Sequence, residues 1–184
     1  DYLQKGDQVK GMDYSFRALK MAEEKGDKSN IQFRLYNISS AYFNFEDFPK
    51  ALEYANKALK IAEEVKDTLS MGSNYSNIGA IYSVSRKDDK KALEYLLRAL
   101  TIFEDKKDSA QIEAVLDHIC VTYHQMNDND KALEYGLIAL GISKNLGDKQ
   151  GLGLTYMNIG NFYFAKVGDS AAKAGNLTAQ QKGY

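Results

Sequence analysis

The sequence has no run of apolar residues approaching the roughly 18 that would span a bilayer, and its first ten residues, DYLQKGDQVK, hold no apolar signal-peptide core. Direct membrane insertion is therefore not expected. There is one cysteine, Cys120, so no internal disulfide framework can form. A single thiol does not fix the compartment; a soluble chain is expected, with a cytoplasmic setting favoured over a periplasmic one. Neither sign of charge dominates, since 24 Lys and Arg stand closely interspersed with 25 Asp and Glu, for a formal charge of -1. That balance gives no basic footprint for nucleic acid and no acidic tail. Period-two alternation is missing over any useful length, which argues against a sheet. Proline occurs once, at Pro49.

What the sequence does have is one phrase written three times, KALEY, at 50–54, 91–95 and 131–135. A fixed period of this size signals stacked copies of a small structural unit. Setting the copies in register recruits an earlier one around Tyr14, so that Tyr14, Tyr54, Tyr95 and Tyr135 are separated by 40, 41 and 40 residues. Ala18, Ala58, Ala99 and Ala139 keep the same steps, as do Asp27, Asp67, Asp108 and Asp148. Upstream of each KALEY lies a second set: Ile38, Ile78, Ile119 and Ile159, then Tyr42, Tyr82, Tyr123 and Tyr163.

Each unit reads as two amphipathic helices, because Leu35, Ile38 and Tyr42, like Ala51, Tyr54 and Ala58, recur at steps of three and four that return to one face. Pro49 falls near the start of a second helix, where a missing N–H does no harm. Asp47, Asp89 and Asp130 stand just ahead of that helix as expected N-caps. Gly26 and Gly147 mark breaks between units. The repeated alanines allow close helix approach, and the tyrosines are expected to fill the spaces around them as core.

The first-helix pattern at 78–82 (IGAIY) and 159–163 (IGNFY), with the second-helix pattern at 92–100 (ALEYLLRAL), resembles the tetratricopeptide repeat. The 40-residue period exceeds that family's usual 34 or so and is similar to the extended class found in kinesin light chains and many bacterial signalling proteins. The resemblance implies an all-α fold, a right-handed α-α superhelix of antiparallel helix pairs. It divides the chain, as a single array, into a truncated repeat at 1–27 that is mostly a second helix, repeats at 31–67, 71–108 and 111–148, and a last repeat at 151–184. The register places residues 1–7 inside a first helix, as expected for a piece of a longer protein. Residues 170–184 lack the Tyr and Leu anchors and read as a degenerate polar cap or an appended tail.

Catalytic signatures fail one after another. Residues 151–156 (GLGLTY) begin like a dinucleotide loop, but Tyr156 stands where the third glycine belongs and the segment follows a helix. Residues 127–131 (NDNDK) lack both the glycine and the distal Glu of a calcium loop and read as a solvated turn with an N-cap. His118 and His124 point about 120° apart around one helix and cannot share a metal locally. No enzymatic role, cofactor or metal is expected, and Cys120 reads as a small packed residue.

The resemblance also implies where a partner binds, since in this family the first helix of each repeat lines the concave inner wall. Counting from the core isoleucines, that wall holds Tyr36, Asn37, Phe43 and Asn44, then Asn77, then Asp117, His118, His124 and Gln125, then Asn158, Asn161 and Phe164. Asn37, Asn77 and Asn158 occupy one repeat position, with His118 as the exception. An amide donates and accepts together, so such a column suits the main chain of an extended peptide. None of the wall residues is basic, which disfavours a clamp for a C-terminal carboxylate. Aromatic groups with Asp117 between them suit an extended or helical peptide with apolar anchors and a basic residue. The function expected is a non-catalytic protein- or peptide-binding scaffold, the sensory or docking part of a larger bacterial regulator. The alternative is self-association, a homodimer formed through the ends or outer surfaces.

Overall fold

The computed structural model describes the backbone of residues 2–147 and 149–181 and the side chains of residues 8–147, 149 and 151–168. Among the described residues the chain forms eight α-helices and no strand: α1 Tyr2–Lys25, α2 Lys28–Asn44, α3 Phe48–Glu64, α4 Thr68–Ser85, α5 Asp89–Lys106, α6 Ser109–Gln125, α7 Asn129–Leu146 and α8 Lys149–Gln181. The all-α class is the one the sequence predicts. Two compact units divide the chain, residues 1–106 with α1 to α5 and residues 107–184 with α6 to α8. Within each unit, helices adjacent in sequence pack on one another, as short connections require of antiparallel neighbours.

Every helix from α2 to α7 begins in the same way. The carboxylates of Asp27, Asp47, Asp67, Asp88, Asp108 and Asp128 each accept from the backbone N–H three residues on, at 3.0–3.3 Å. Asp47 was expected as a cap, but Asp89 and Asp130 are corrected to Asp88 and Asp128. The reason is geometric: a cap residue must precede the first helical turn, and Asp89 is already the first residue of α5 while Asp130 lies inside α7. Asp148 lies outside the described residues. Most turns also pass through a left-handed residue, which glycine adopts freely at Gly26 (φ 66°) and Gly147 (φ 70°). Glu46, Lys66, Arg86, Lys107 and Asn127 take the same conformation at φ 50–61° despite carrying a Cβ. This is why glycine flags only two of the breaks.

The cores are built from the repeated small and branched residues. In the first unit Ala51, Ala55, Ala58, Ala62, Ala92 and Ala99 are fully buried, together with Ile38 and Ile78. In the second, Ala132 and Leu133 pack with Ile159, Phe162 and Cys120. Gly72 and Gly79 let α5 come very close to α4: a Cβ at Gly79 would meet Leu96 Cγ at 2.6 Å, and one at Gly72 would meet Ile102 Cγ2 at 2.9 Å. The tyrosines differ from expectation. Tyr42, Tyr54, Tyr82, Tyr95, Tyr123 and Tyr135 are half-buried, because their rings stack in pairs along the flank of each helix pair instead of entering the core.

Helices α1 and α8 carry no internal break. Gly168 stands in α8 at the repeat position that the capping Asp47, Asp88 and Asp128 hold ahead of the second helix elsewhere. The cap or tail reading of residues 170–184 concerns side chains outside the described residues.

Candidate functional site

The wall expected from the repeat register lies on α2 and α4 in the first unit. Helix α2 turns Leu35 and Ile38 into the core, which brings Tyr36 and Asn37 to its margin. Tyr36 packs against the cluster of Leu19, Leu35, Ile38 and Ala58. Asn37 is half-buried, and its amide makes no hydrogen bond with the described residues. Phe43 is half-buried with its edge on Phe48, ring centroids 6.0 Å apart, and Asn44 ends α2 exposed. On α4, Asn77 Nδ2 donates to Ser39 Oγ at 2.8 Å, and Ser39 Oγ donates to the Ala51 carbonyl at 2.8 Å. The Asn77 amide nitrogen thus stitches α4 to α2, and through Ser39 to α3.

Sequence reasoning missed Ser39. Its repeat equivalents are Gly79, Cys120 and Gly160, so a hydroxyl occurs at this position only here, and that singularity was the available signal.

In the second unit the wall residues stand on α6 and α8. Asp117 Oδ1 accepts from Thr155 Oγ1 at 3.4 Å. Burial, reinforced by the negative charge of Glu113, pushes the Asp117 carboxyl up to about 6. Glu113 itself accepts from Ser143 Oγ of α7 at 2.7 Å. The His118 imidazole is pushed below its ordinary value by burial, so it favours the neutral form. His124 is committed to packing: its ring lies 4.9 Å from that of Phe162, and its Nδ1 faces Asn129 Oδ1 at 2.6 Å. An amide oxygen only accepts, so Nδ1 carries the proton. Gln125, which ends α6, is half-buried. The Cys120 thiol donates to the Asp117 carbonyl at 3.2 Å, and burial raises it to about 12, so the sulfur is an inert packed group.

On α8, Asn158 is half-buried with no hydrogen bond to the described residues, and Asn161 is exposed. Phe164 is 80% exposed. Among the described residues two of the three asparagine amides thus have no hydrogen-bond partner, and the nitrogen of the third makes a structural bond. Thr155, fully buried, was not anticipated, because its repeat equivalents Arg34, Asn74 and Val115 share no chemistry with it.

Residues 32–105 match the family model of the tetratricopeptide repeat. This segment is built of tetratricopeptide repeats. The repeat chain is similar to the crystal structure of BtubC (BKLC) from P. vanneervenii, at 26% identity over 99% of this chain and 77% of that one, with a TM-score of 0.79. It is also similar to a Signal Transduction ATPase with Numerous Domains from Pyrococcus horikoshii that carries a tetratricopeptide repeat sensor, at 26% identity and a TM-score of 0.73. There the match covers 89% of this chain and 25% of that chain, so this chain spans about a quarter of the length of the Pyrococcus protein. The nearly identical repeats of a kinesin light chain from Podosopora anserina share the fold at 12% identity, with 100% and 92% coverage and a TM-score of 0.71. A search of curated proteins gives no significant match. The tetratricopeptide repeat is generally a non-catalytic scaffold for protein interaction, and no catalytic family is indicated. No helix among the described residues is long and apolar enough to cross a membrane.

Proposed function

We propose that this chain is the sensory or docking region of a larger bacterial signalling or regulatory protein, and that it holds an extended or helical peptide along the first helices of its repeats. Those helices are α2 and α4 in the first unit and α6 and α8 in the second, and the reading of residues 1–184 as one array belongs to the same proposal. The observation that carries it is the half-buried Asn37 amide with no hydrogen-bond partner among the described residues, on the same helix as the aromatic rings of Tyr36 and Phe43. An unpaired amide at the margin of a core offers a donor and an acceptor to a main chain, and the rings offer apolar anchors. The repeat sensor of the Pyrococcus protein supports a sensory role within a longer chain. Asp117 suits a basic residue of the bound peptide.

The test is a peptide array probed with the purified chain beside its Asn37→Ala and Asn77→Ala variants. Asn37→Ala is expected to weaken the preferred peptide about fivefold with an unchanged melting temperature, the value of about one hydrogen bond. Asn77→Ala is expected to lower the melting temperature as well, since it also removes the bond to Ser39. Peptide binding indifferent to Asn37→Ala would defeat the reading.

One observation favours self-association as a second reading. Helix α8 exposes Leu154, Tyr156, Met157, Tyr163, Phe164 and Val167, each at 48% or more. Light scattering that gives a dimer, with no signal on the array, would select it.

A further inference from the structure

A groove of about 540 Å³ runs between α1 and α3 and is floored by α2. Leu19 and Leu35 form its buried base, and Tyr54, Lys57 and Glu23 stand on its sides. None of the peptide-wall residues contributes to it. The repeat register sets this groove against the one formed by α3, α4 and α5 in the same unit. Leu35 corresponds to Tyr75, Tyr54 to Tyr95, Lys57 to Arg98, and Glu23 to Glu63.

In that second groove the Tyr75 side chain is the filling. It is 9% exposed, and its ring lies 6.0 Å from the Tyr95 ring. The Arg98 guanidinium is 5.8 Å from the Tyr75 ring centre, and the Tyr75 hydroxyl donates to Glu63 Oε1 at 3.4 Å. Arg98 is in turn steadied by Glu94 at 2.7 Å. A phenol is thus held by an aromatic ring, a cation and a carboxylate.

The first groove has all three groups, but Leu35 stands where the second has the phenol of Tyr75. Lys57 Nζ lies 4.9 Å from the Tyr54 ring centre and is steadied by Glu53 at 2.6 Å, the counterpart of Glu94 with Arg98. The Glu23 carboxylate has no hydrogen bond or ion pair with the described residues. Leu35 is a ring shorter than Tyr75, so the space above it stays open. Phe16 replaces Asn56 and adds an apolar wall, its ring edge 5.9 Å from Tyr54. The chain supplies in one repeat the template for what the neighbouring repeat lacks.

We propose that the groove of α1, α2 and α3 receives a tyrosine side chain of a partner polypeptide, with its ring against Tyr54 and Lys57 and its hydroxyl donating to Glu23. A cation over the ring and a carboxylate at the hydroxyl select a phenol over a plain aryl group. The occupant is a polypeptide side chain and not a free phenol because the groove of about 540 Å³ leaves room beyond a single ring for the flanking main chain. The rim also carries charges of both signs beside a flanking main chain, Lys60 and the Glu64 carboxylate that Lys28 holds at 2.9 Å.

The test is methyl-detected NMR on the full chain, titrated with acetyl-Gly-Tyr-Gly-amide, its Phe counterpart and p-cresol, with the mass followed by light scattering. Saturable shifts of the Leu19, Leu35, Ile31 and Ile61 methyls are expected. The Tyr peptide should bind roughly tenfold more tightly than the Phe peptide, the low end for a hydrogen bond to a charged group. Leu35→Tyr fills the groove from within, as Tyr75 does, and should abolish the shifts at unchanged helix content. Glu23→Ala, at an exposed position, should bring the Tyr peptide down to the level of the Phe peptide. The proposal is overturned by an absence of saturable shifts, by equal binding of Tyr and Phe peptides to the unaltered chain, or by binding that survives Leu35→Tyr. It is also overturned if p-cresol binds as tightly as the peptide, which would mark a small-molecule site. Dimerisation that shifts the same methyls would instead make a second copy the occupant.

Discussion

Tyr42 on α2 and Tyr54 on α3 stack with ring centroids 5.5 Å apart and planes inclined by 14°. The same relation joins Tyr82 to Tyr95 at 6.1 Å and Tyr123 to Tyr135 at 5.5 Å. It explains both ends of the KALEY phrase. The tyrosine supplies one ring of the stack. The lysine sets its ammonium over the first-helix ring, at 5.1 Å for Lys50, 5.6 Å for Lys91 and 5.1 Å for Lys131, while pairing with the Asp that caps the helix. A double-mutant cycle on Tyr82 and Tyr95, each changed to Leu, should give a coupling of about 0.5–1.5 kcal/mol in urea denaturation. Additive losses would reduce the stack to ordinary burial.

Gly79 and Gly160 hold the same repeat position but opposite surroundings. A Cβ on Gly79 would meet Leu96 Cγ at 2.6 Å and the Ala92 carbonyl at 3.1 Å, whereas nothing lies within 4 Å of one on Gly160. Gly79→Ala should cost about 1–3 kcal/mol through overpacking. Gly160→Ala should gain about 0.5–1 kcal/mol through helix propensity. Thermal melts of the two variants should move in opposite directions.

The Asp117 carboxyl, raised to about 6 in the fold, makes stability fall as pH rises. Between the unfolded value near 3.9 and the folded one, the folded chain keeps a proton the unfolded chain has lost, so the unfolding free energy declines across that window and its cost is complete above it. Asp117→Asn should therefore protect the α6 amides from hydrogen exchange by about 1–2 kcal/mol at pH 7 and by little at pH 4. Comparing variant with parent at each pH cancels the opposing contribution of neutral His118. A cationic peptide seated at Asp117 should bind more tightly at pH 7 than at pH 5.

Lys66 ends the α3 turn in the left-handed region at φ 57°, where Gly26 and Gly147 serve other turns. Relief of its Cβ strain should make Lys66→Gly stabilising by about 0.5–1 kcal/mol, and Gly26→Ala should be destabilising by about 1 kcal/mol. Both are read from melting temperatures, and a loss in Lys66→Gly would mean that flexibility in the unfolded chain outweighs the strain.

The sequence by itself determined the helical period, the pairing of helices and the alanine and isoleucine core, because a four-fold repetition at fixed spacing leaves little else for those residues to do. It also determined that Asp47 caps α3 and that Gly26 and Gly147 break the chain. Only the tertiary structure decided which of several neighbouring aspartates caps a helix, since the choice between Asp88 and Asp89 depends on where the first turn closes. It alone decided that Asn77 spends its amide nitrogen on Ser39 while Asn37 does not, because that bond needs a hydroxyl on the facing helix. The groove over Leu35 was equally hidden. Cavities arise from what a side chain fails to fill in three dimensions, and a leucine in place of a tyrosine reads in one dimension as a conservative change of core residue.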